Sequence, residues 1–452
     1  MIKLSASLEQ LLRDARVDLV LSRIEKDPTV INEVINQVES EIRSIRFNSI
    51  FVLGELGEGA GLQAAEKIIE FLKDDDWSIR REAARSLGKI GHIAKNSIPS
   101  LANLMNDEED SIRTTSVITL GKICEPSKEC INILKLALKD KNIEVRTEAA
   151  KSLGLLGSEA YEIIPNLMNS MRDPNSTVRT ASAIAISGIG KGTIKAIPTL
   201  INALNDKDWR VRYRVINTLS EIGEPAIPSL IDVLNHKDKF VREGVLETLA
   251  EIKLSNPEIL GKIYDLLSDK EETVRGKAAD ALRTIGKDAI PSLLKALDNL
   301  NNKMKVLIIS SIGGIGEGAN EIIPQLSKLI EDKSRTKIRL EVARTLGKIG
   351  LGNKEALHSL VKALNDKKPE IRREAALSLG KHGSLAAEVI PSLISALEDK
   401  NKDVRWRATE ALGKIKINTE EVISALKNAI HDECDYVCEA ADLAIDSITE
   451  NE

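Results

Sequence analysis

Residues 77–91 read WSIRREAARSLGKIG, with apolar side chains at Ile79, Ala83, Leu87 and Ile90. At about 100° per residue these four share one helical face. Val145, Ala149, Leu153 and Leu156 repeat the stripe around Arg146. Each stripe predicts an amphipathic helix whose apolar face is core. The Arg that follows the first apolar position is the fixed point of the phrase. It recurs at Arg46, Arg80, Arg113, Arg146, Arg179, Arg212, Arg242, Arg275, Arg339, Arg372 and Arg405, with Lys305 and Cys438 in two further positions. Successive anchors are 33 residues apart, except for two spacings of 34 and two of 30. A period of this length marks an array of repeats rather than separate domains.

A second landmark keeps the same frame. Ile-Pro stands at Pro99, Pro165, Pro198, Pro228, Pro291, Pro324 and Pro391, followed by the next anchor after 14 residues, once 15. Proline is tolerated in the first turn of a helix, where its missing N–H has no intrahelical partner. Each unit therefore predicts two helices, the first from Ile-Pro and the second carrying the anchor. Between them lies a turn with Asp107, Asp140, Asp173, Asp206, Asp269, Asp366 or Asp399, expected to cap the second helix. The second helix is expected to end in a left-handed glycine: Gly57, Gly91, Gly157, Gly190, Gly223, Gly286, Gly316, Gly350 and Gly383. Ala84, Ala150, Ala183, Ala279 and Ala376, four after their anchors, are small enough to let a neighbouring helix approach.

Length alone would suggest about three domains, but a solenoid grows without enlarging one core. Residues 39–452 are expected to form a single solenoid of about thirteen repeats, with Cys438 breaking the pattern in a terminal cap. Residues 1–38 fit no repeat and predict an N-terminal helical cap.

The turn Asp, the Val-Arg or Ile-Arg pair, Ala-Ala, Leu-Gly-x-Ile-Gly and Ile-Pro-x-Leu together resemble the HEAT-repeat superfamily, specifically its short phycobilisome-lyase-type repeats. The resemblance covers roughly residues 40–450. It implies an all-α fold, a right-handed α-α superhelix of the armadillo/HEAT kind, with the second helices on the concave side. It also implies that turn Asp and helix Arg form an inter-repeat hydrogen-bond ladder, so that the Arg series is structural.

Composition agrees with thin helix packing: 42% hydrophobic, 29% charged and only 2% aromatic. The net charge of −5 argues against a nucleic-acid or anionic-membrane partner. The N-terminal apolar stretch carries charges and does not read as a signal peptide, and the apolar run 306–316 is too short to cross a bilayer. A cytoplasmic location is the expectation. Cys124, Cys130, Cys434 and Cys438 read as reduced thiols; a metal site at Cys434 and Cys438 with His431 and Asp432 is the weaker alternative.

Opposite the core stripe lie the positions three before the anchor and one and five after it. All three tryptophans fall there: Trp77, Trp209 and Trp406. Trp209 shares its stripe with Tyr213 and Asn217, and Phe240 sits near the same edge one repeat on. Trp77 shares its stripe with Arg81 and Arg85, joined by Phe47 and Phe51 one repeat earlier. Aromatic and Arg side chains are enriched at binding hot spots. The alternative is that these rings pack between repeats. The face passes from basic (Arg43, Arg81, Arg85) through neutral (Ile118, Ile184) to acidic (Glu243, Glu247, Glu272, Asp280) and then mixed (Arg344, Arg373). A protein or extended peptide tolerates this mosaic better than a phosphate backbone does.

Enzyme readings are weaker. Some HEAT-like proteins, such as deoxyhypusine hydroxylase, bind iron through His-Glu pairs. None of His92, His236, His358, His382 and His431 is followed by Glu. Phycobilin lyase subunits share the repeat type, which keeps a lyase-like or chaperone-like role on a cofactor-bearing protein as the alternative. A HEAT-like DNA glycosylase would need a basic aromatic cleft; Trp209, Arg210 and Tyr213 could imitate one, but acidic neighbours oppose it. GGIGEG at 313–318 and GEGAG at 57–61 follow helices, not strands, so neither reads as a nucleotide loop. The sequence thus reads as a non-catalytic scaffold without a cofactor, capturing a protein or extended peptide on its concave face.

Overall fold

The computed structural model describes residues 6–190, 193–253 and 256–449, which are helical with no strand among them. The chain divides into two compact units, Met1–Asp232 and Val233–Glu452.

In the first unit three short helices, Leu8–Arg13, Val17–Lys26 and Val30–Gln37, precede the helix Arg43–Glu55. Asn48 on that helix donates to the Leu12 carbonyl at 2.7 Å and ties the segment to it. The second helices of the following repeats are Trp77–Ile90, Asp110–Ile123, Ile143–Leu155, Ser176–Ile189 and Trp209–Ile222. In the second unit they are Lys239–Ile252, Glu272–Ile285, Asn302–Ile315, Thr336–Ile349, Pro369–Lys381, Lys402–Ile415 and Asp435–Thr449. Ile79, Ala83, Leu87 and Ile90 are fully buried, as the stripe requires. Ile-Pro opens the first helices, with Pro in the first turn of Ile98–Asn103, Ile164–Ser170 and Ile197–Ala203. Asn302–Ile330 is apolar and long enough to cross a membrane. Gly316, at φ +75°, breaks it into two helices whose Ile308, Ile312, Leu326 and Ile330 are core.

The Arg anchors form the ladder. Arg113 donates from Nε and Nη2 to the Asp140 carboxylate at 2.8 and 3.0 Å, and from Nη1 to the carbonyls of Asp107 and Glu108 at 2.8 and 3.1 Å. Arg80–Asp107, Arg146–Asp173 and Arg179–Asp206 repeat the ion pair in the first unit. Arg242–Asp269, Arg339–Asp366, Arg372–Asp399 and Arg405–Asp432 repeat it in the second. Each Arg thus reads its own turn through carbonyls and the next turn through a carboxylate. The two 30-residue spacings carry His236 and Asn299 at the turn position. His236 Nδ1 accepts the Asp238 N–H at 3.1 Å, as a turn Asp would. At the last anchor the Cys438 thiol contacts the Asp432 carbonyl at 3.1 Å, in place of a guanidinium.

The turn Asp does not cap the second helix, contrary to expectation. Its Oδ1 accepts the N–H two residues on, as Asp140 does from Asn142 at 2.7 Å. The cap is that later residue: Asn142, Asn175, Asp208, Asp238 and Asn401 accept N–H groups of the first turn. The Asp lies two residues too early to reach the helix, so its carboxylate is left for the Arg. The glycine C-caps hold at Gly57, Gly91, Gly157, Gly190, Gly223, Gly286, Gly316 and Gly383, all at positive φ. Gly350 differs, at φ −98°; the left-handed residue there is Gly352.

Neighbouring second helices come close at the Gly eight after the anchor, against the residue six after the next anchor. A Cβ on Gly54 would meet Ser86, on Gly88 Thr119, on Gly121 Ser152, and on Gly347 Ser378, within 2.3–2.7 Å. The hydroxyls at this contact donate back one repeat: Ser86 to the Ile50 carbonyl at 3.0 Å, Thr119 to Ala84 at 2.8 Å, Thr345 to Ile309 at 3.0 Å.

Cys124 and Cys130 are joined by a disulfide, with Cα atoms 6.0 Å apart, which corrects the expectation of reduced thiols there. The short loop after Asp110–Ile123 turns back into Lys128–Ala137, where Ser127 accepts the Cys130 N–H, and so brings the two side chains together. Cys434 and Cys438 are free thiols.

His382 replaces the usual Ile or Leu ten after the anchor and is buried. Its Nδ1 accepts the Gly352 N–H at 3.2 Å, and Nε2 has no hydrogen-bond partner. Burial, with Lys381 nearby, pushes the imidazole down to about 4 from 6.5. A folded value below the unfolded one means that stability is complete above pH 6.5 and is lost as pH falls towards about 4. The loss is on the order of 3 kcal/mol. His382→Leu is expected to remove this part of the acid limb, measured as the urea midpoint against pH. An unchanged acid limb would assign it to other groups.

Candidate functional site

In the first unit the helices Arg43–Glu55 and Trp77–Ile90 bring Phe47, Phe51, Trp77, Arg81 and Arg85 onto neighbouring positions. Trp77 is 46% exposed, and the Arg81 guanidinium lies 5.0 Å from its ring centroid. Lys89 lies 5.1 Å from the Phe51 ring and pairs with Glu55. Phe47 and Phe51 are half-buried, so their rings serve packing as well as surface. Arg43 pairs with Asp76, the cap of the next helix, and donates to Ser78 at 2.6 Å. Hydrogen bonds from Ser78 and Arg43 hold the Asp76 carboxyl well below the usual carboxylate range. Beneath them Glu82 is buried, and burial raises its carboxyl against the pull of Arg85, Lys89 and Arg81.

At the other end of the unit, Trp209–Ile222 carries the most exposed rings of the predicted set: Trp209 at 65% and Tyr213 at 53%. They are four residues apart, hence neighbours on one helix face. Asn217 follows on the same stripe, half-buried. Asp208 caps the helix and binds Arg210 at 2.8 Å, which holds that Arg along the helix end. The preceding helix, Ser176–Ile189, has Arg179 as its one charged residue, buried in the ladder. The rings therefore face the uncharged surface of the preceding helix with Ile184 exposed, while on their own helix Arg214 lies 5.9 Å from the Tyr213 ring.

Phe240 belongs to the second unit. It is 38% exposed, with the Lys239 ammonium 5.2 Å from its ring. The acidic positions nearby are partly neutralised: Glu247 pairs with Lys277 at 2.5 Å and Glu272 with Lys303 at 3.1 Å. Trp406 is half-buried between repeats, edge-on to Tyr436 with centroids 5.5 Å apart and 3.8 Å from Arg407. Tyr436 donates to Asp403 at 2.9 Å. Beside Trp406 a groove of about 390 Å³ runs between Lys402–Ile415 and Asp435–Thr449. Sequence reasoning missed its other wall, Leu443, which is 70% exposed. Leu443 stands five after its anchor, so the stripe rule applied to the last repeat would have found it. Among the described residues no three His, Cys, Asp or Glu side chains converge as a metal site.

The family described as HEAT repeats matches residues 31–121, 131–196, 164–250, 227–305, 290–380 and 357–445. The chain belongs to the HEAT-repeat family. Its HEAT repeats superpose on Kap121p bound to Pho4p with a TM-score of 0.52 at 14% identity, over 98% of this chain and 60% of that one. Kap121p bound to Nup53p gives 0.50 at 14% identity, over 93% and 57%. Importin beta gives 0.45 at 16% identity, over 95% and 70%. This HEAT-repeat chain spans about three-fifths of the length of the two Kap121p chains. At such identity the likeness shows the fold alone. No curated protein matches the sequence.

Proposed function

We propose that the protein is a non-catalytic scaffold that binds a partner protein, or an extended segment of one, on the face lined by its second helices. The observation that carries this reading is the pair Trp209 and Tyr213, more than half exposed beside a preceding helix whose one charged residue is the buried Arg179. Large rings held in water on a rigid helix lose apolar contact that only a partner restores. The HEAT-repeat solved structures named above hold protein partners, Pho4p and Nup53p, which supports the class of ligand. The 33-residue period and the Leu-Gly-x-Ile-Gly phrase support placing the repeats in the phycobilisome-lyase-type subclass.

The test is capture from native lysate, read by mass spectrometry, with wild type against a Trp209→Ala, Tyr213→Ala variant of matched circular dichroism. Loss of one client in the variant alone is expected, with affinity falling at least tenfold. A client held equally by both proteins would move the anchor elsewhere.

A further inference from the structure

In the first unit a groove of about 470 Å³ crosses three consecutive second helices, Trp77–Ile90, Asp110–Ile123 and Ile143–Leu155. One wall is Arg81 and Arg85; the other carries Asp110, Asn142 and Glu144. The two Arg are one turn apart on one face. Arg81 rests on the Trp77 ring at 5.0 Å. The Arg85 contact with Glu82 is 3.9 Å long, beyond hydrogen-bond range. Both guanidinium groups thus keep N–H donors for a ligand. The floor is already satisfied: the Thr114 hydroxyl donates to the Asp110 carbonyl at 2.9 Å and Thr115 to Ser111 at 2.7 Å. On the far wall Asn142 Nδ2 donates to Asp110 Oδ2 at 2.8 Å, and Arg113 also pairs with Asp110. That fixes the carboxylate in place, beside an exposed Glu144. The groove therefore changes sign along its length, from cationic to anionic.

We propose that this groove binds an extended segment of a partner protein with an acidic residue over Arg81 and Arg85 and a basic residue over Asp110 and Glu144. The inference rests on the protein-binding reading and names the partner's chemistry at a site separate from Trp209. Packed helices lie about 8–10 Å apart, and an extended chain advances about 3.3 Å per residue. Each helix crossed takes about three residues, so acid and base stand roughly three to six residues apart. The Trp77 ring, beside Arg81, covers an apolar side chain next to the acid. A nucleic acid fits less well, because its next phosphates meet Asp110 and Glu144.

The probe is a labelled peptide with two Asp followed, about four residues on, by two Lys, titrated against the full chain by fluorescence anisotropy. Its control has Lys at both places. Wild type is expected to prefer the Asp-Lys peptide at least tenfold, and Arg81→Glu with Arg85→Glu to reverse that preference. Trp209→Ala with Tyr213→Ala is expected to leave it unchanged. Equal binding of both peptides by wild type and the Glu variant overturns the proposal. So does tighter binding of oligouridine than of peptide, lost in the same variant, which assigns the groove to RNA. Loss of the client on removing Trp209 and Tyr213, with no charge preference in the peptides, would sink this proposal and leave the scaffold reading standing.

Discussion

Arg179→Met is expected to destabilise the first unit by about 3–5 kcal/mol, the cost of leaving a buried charge without its partner. Arg179 donates to Asp206 at 2.6 and 2.7 Å and to the carbonyls of Asp173 and Pro174 at 2.8 and 3.1 Å. Both side chains are almost fully withdrawn from water. Methionine fills much of the volume but donates nothing, so one carboxylate and two carbonyls lose their partner together. Adding Asp206→Asn removes the uncompensated charge, while Oδ1 still accepts the Asp208 N–H now held at 2.9 Å. The double variant is therefore expected to recover part of the loss. Because repeats contact only their neighbours, the damage is local. Amide exchange should quicken most in Ser176–Ile189 and Trp209–Ile222, with urea unfolding giving the total. A cost below about 1 kcal/mol would class the pair with exposed ion pairs and remove the ladder from the account of stability.

Gly347→Ala and Gly276→Ala are expected to act in opposite directions, although both replace a glycine inside a second helix. A Cβ on Gly347 would sit 2.5 Å from the Ser378 Cβ and Oγ and 2.9 Å from its Cα. A backbone atom cannot swing aside, so the helices Thr336–Ile349 and Pro369–Lys381 must part. Overpacking of this kind costs about 1–3 kcal/mol. Around Gly276 there is nothing within 4 Å. There alanine only restricts the unfolded chain and is expected to stabilise by about 0.5–1 kcal/mol. Thermal midpoints of the two variants decide the matter. The same sign in both would mean that helix spacing is not set by the glycine contact.

Much of the candidate surface was legible because the outward stripe is a matter of helical geometry. Trp77, Trp209 and Tyr213 stand exposed where the wheel puts them. Trp406 has the same kind of position, yet Tyr436 from the next repeat packs on it. The wheel knows one helix at a time and carries nothing about what the neighbour presents. For the same reason the sign-changing groove stayed hidden. Its walls come from three helices about 33 residues apart in the chain, and each helix alone shows only scattered charge.

What the sequence determined by itself was everything that repeats with the helix or with the 33-residue period. That comprises the two-helix unit, the core stripe, the Pro openings, most glycine C-caps and the Arg positions of the ladder. These are set by local backbone geometry and by one rule copied many times. The tertiary structure decided what depends on distance between copies. It moved the helix cap to the residue two after the turn Asp, and it brought Gly347 against Ser378 of the next second helix. It also closed Cys124 on Cys130 across a loop. Those outcomes turn on a few ångströms of spacing between helices, and spacing is a property of packed pairs that no single stretch of chain encodes.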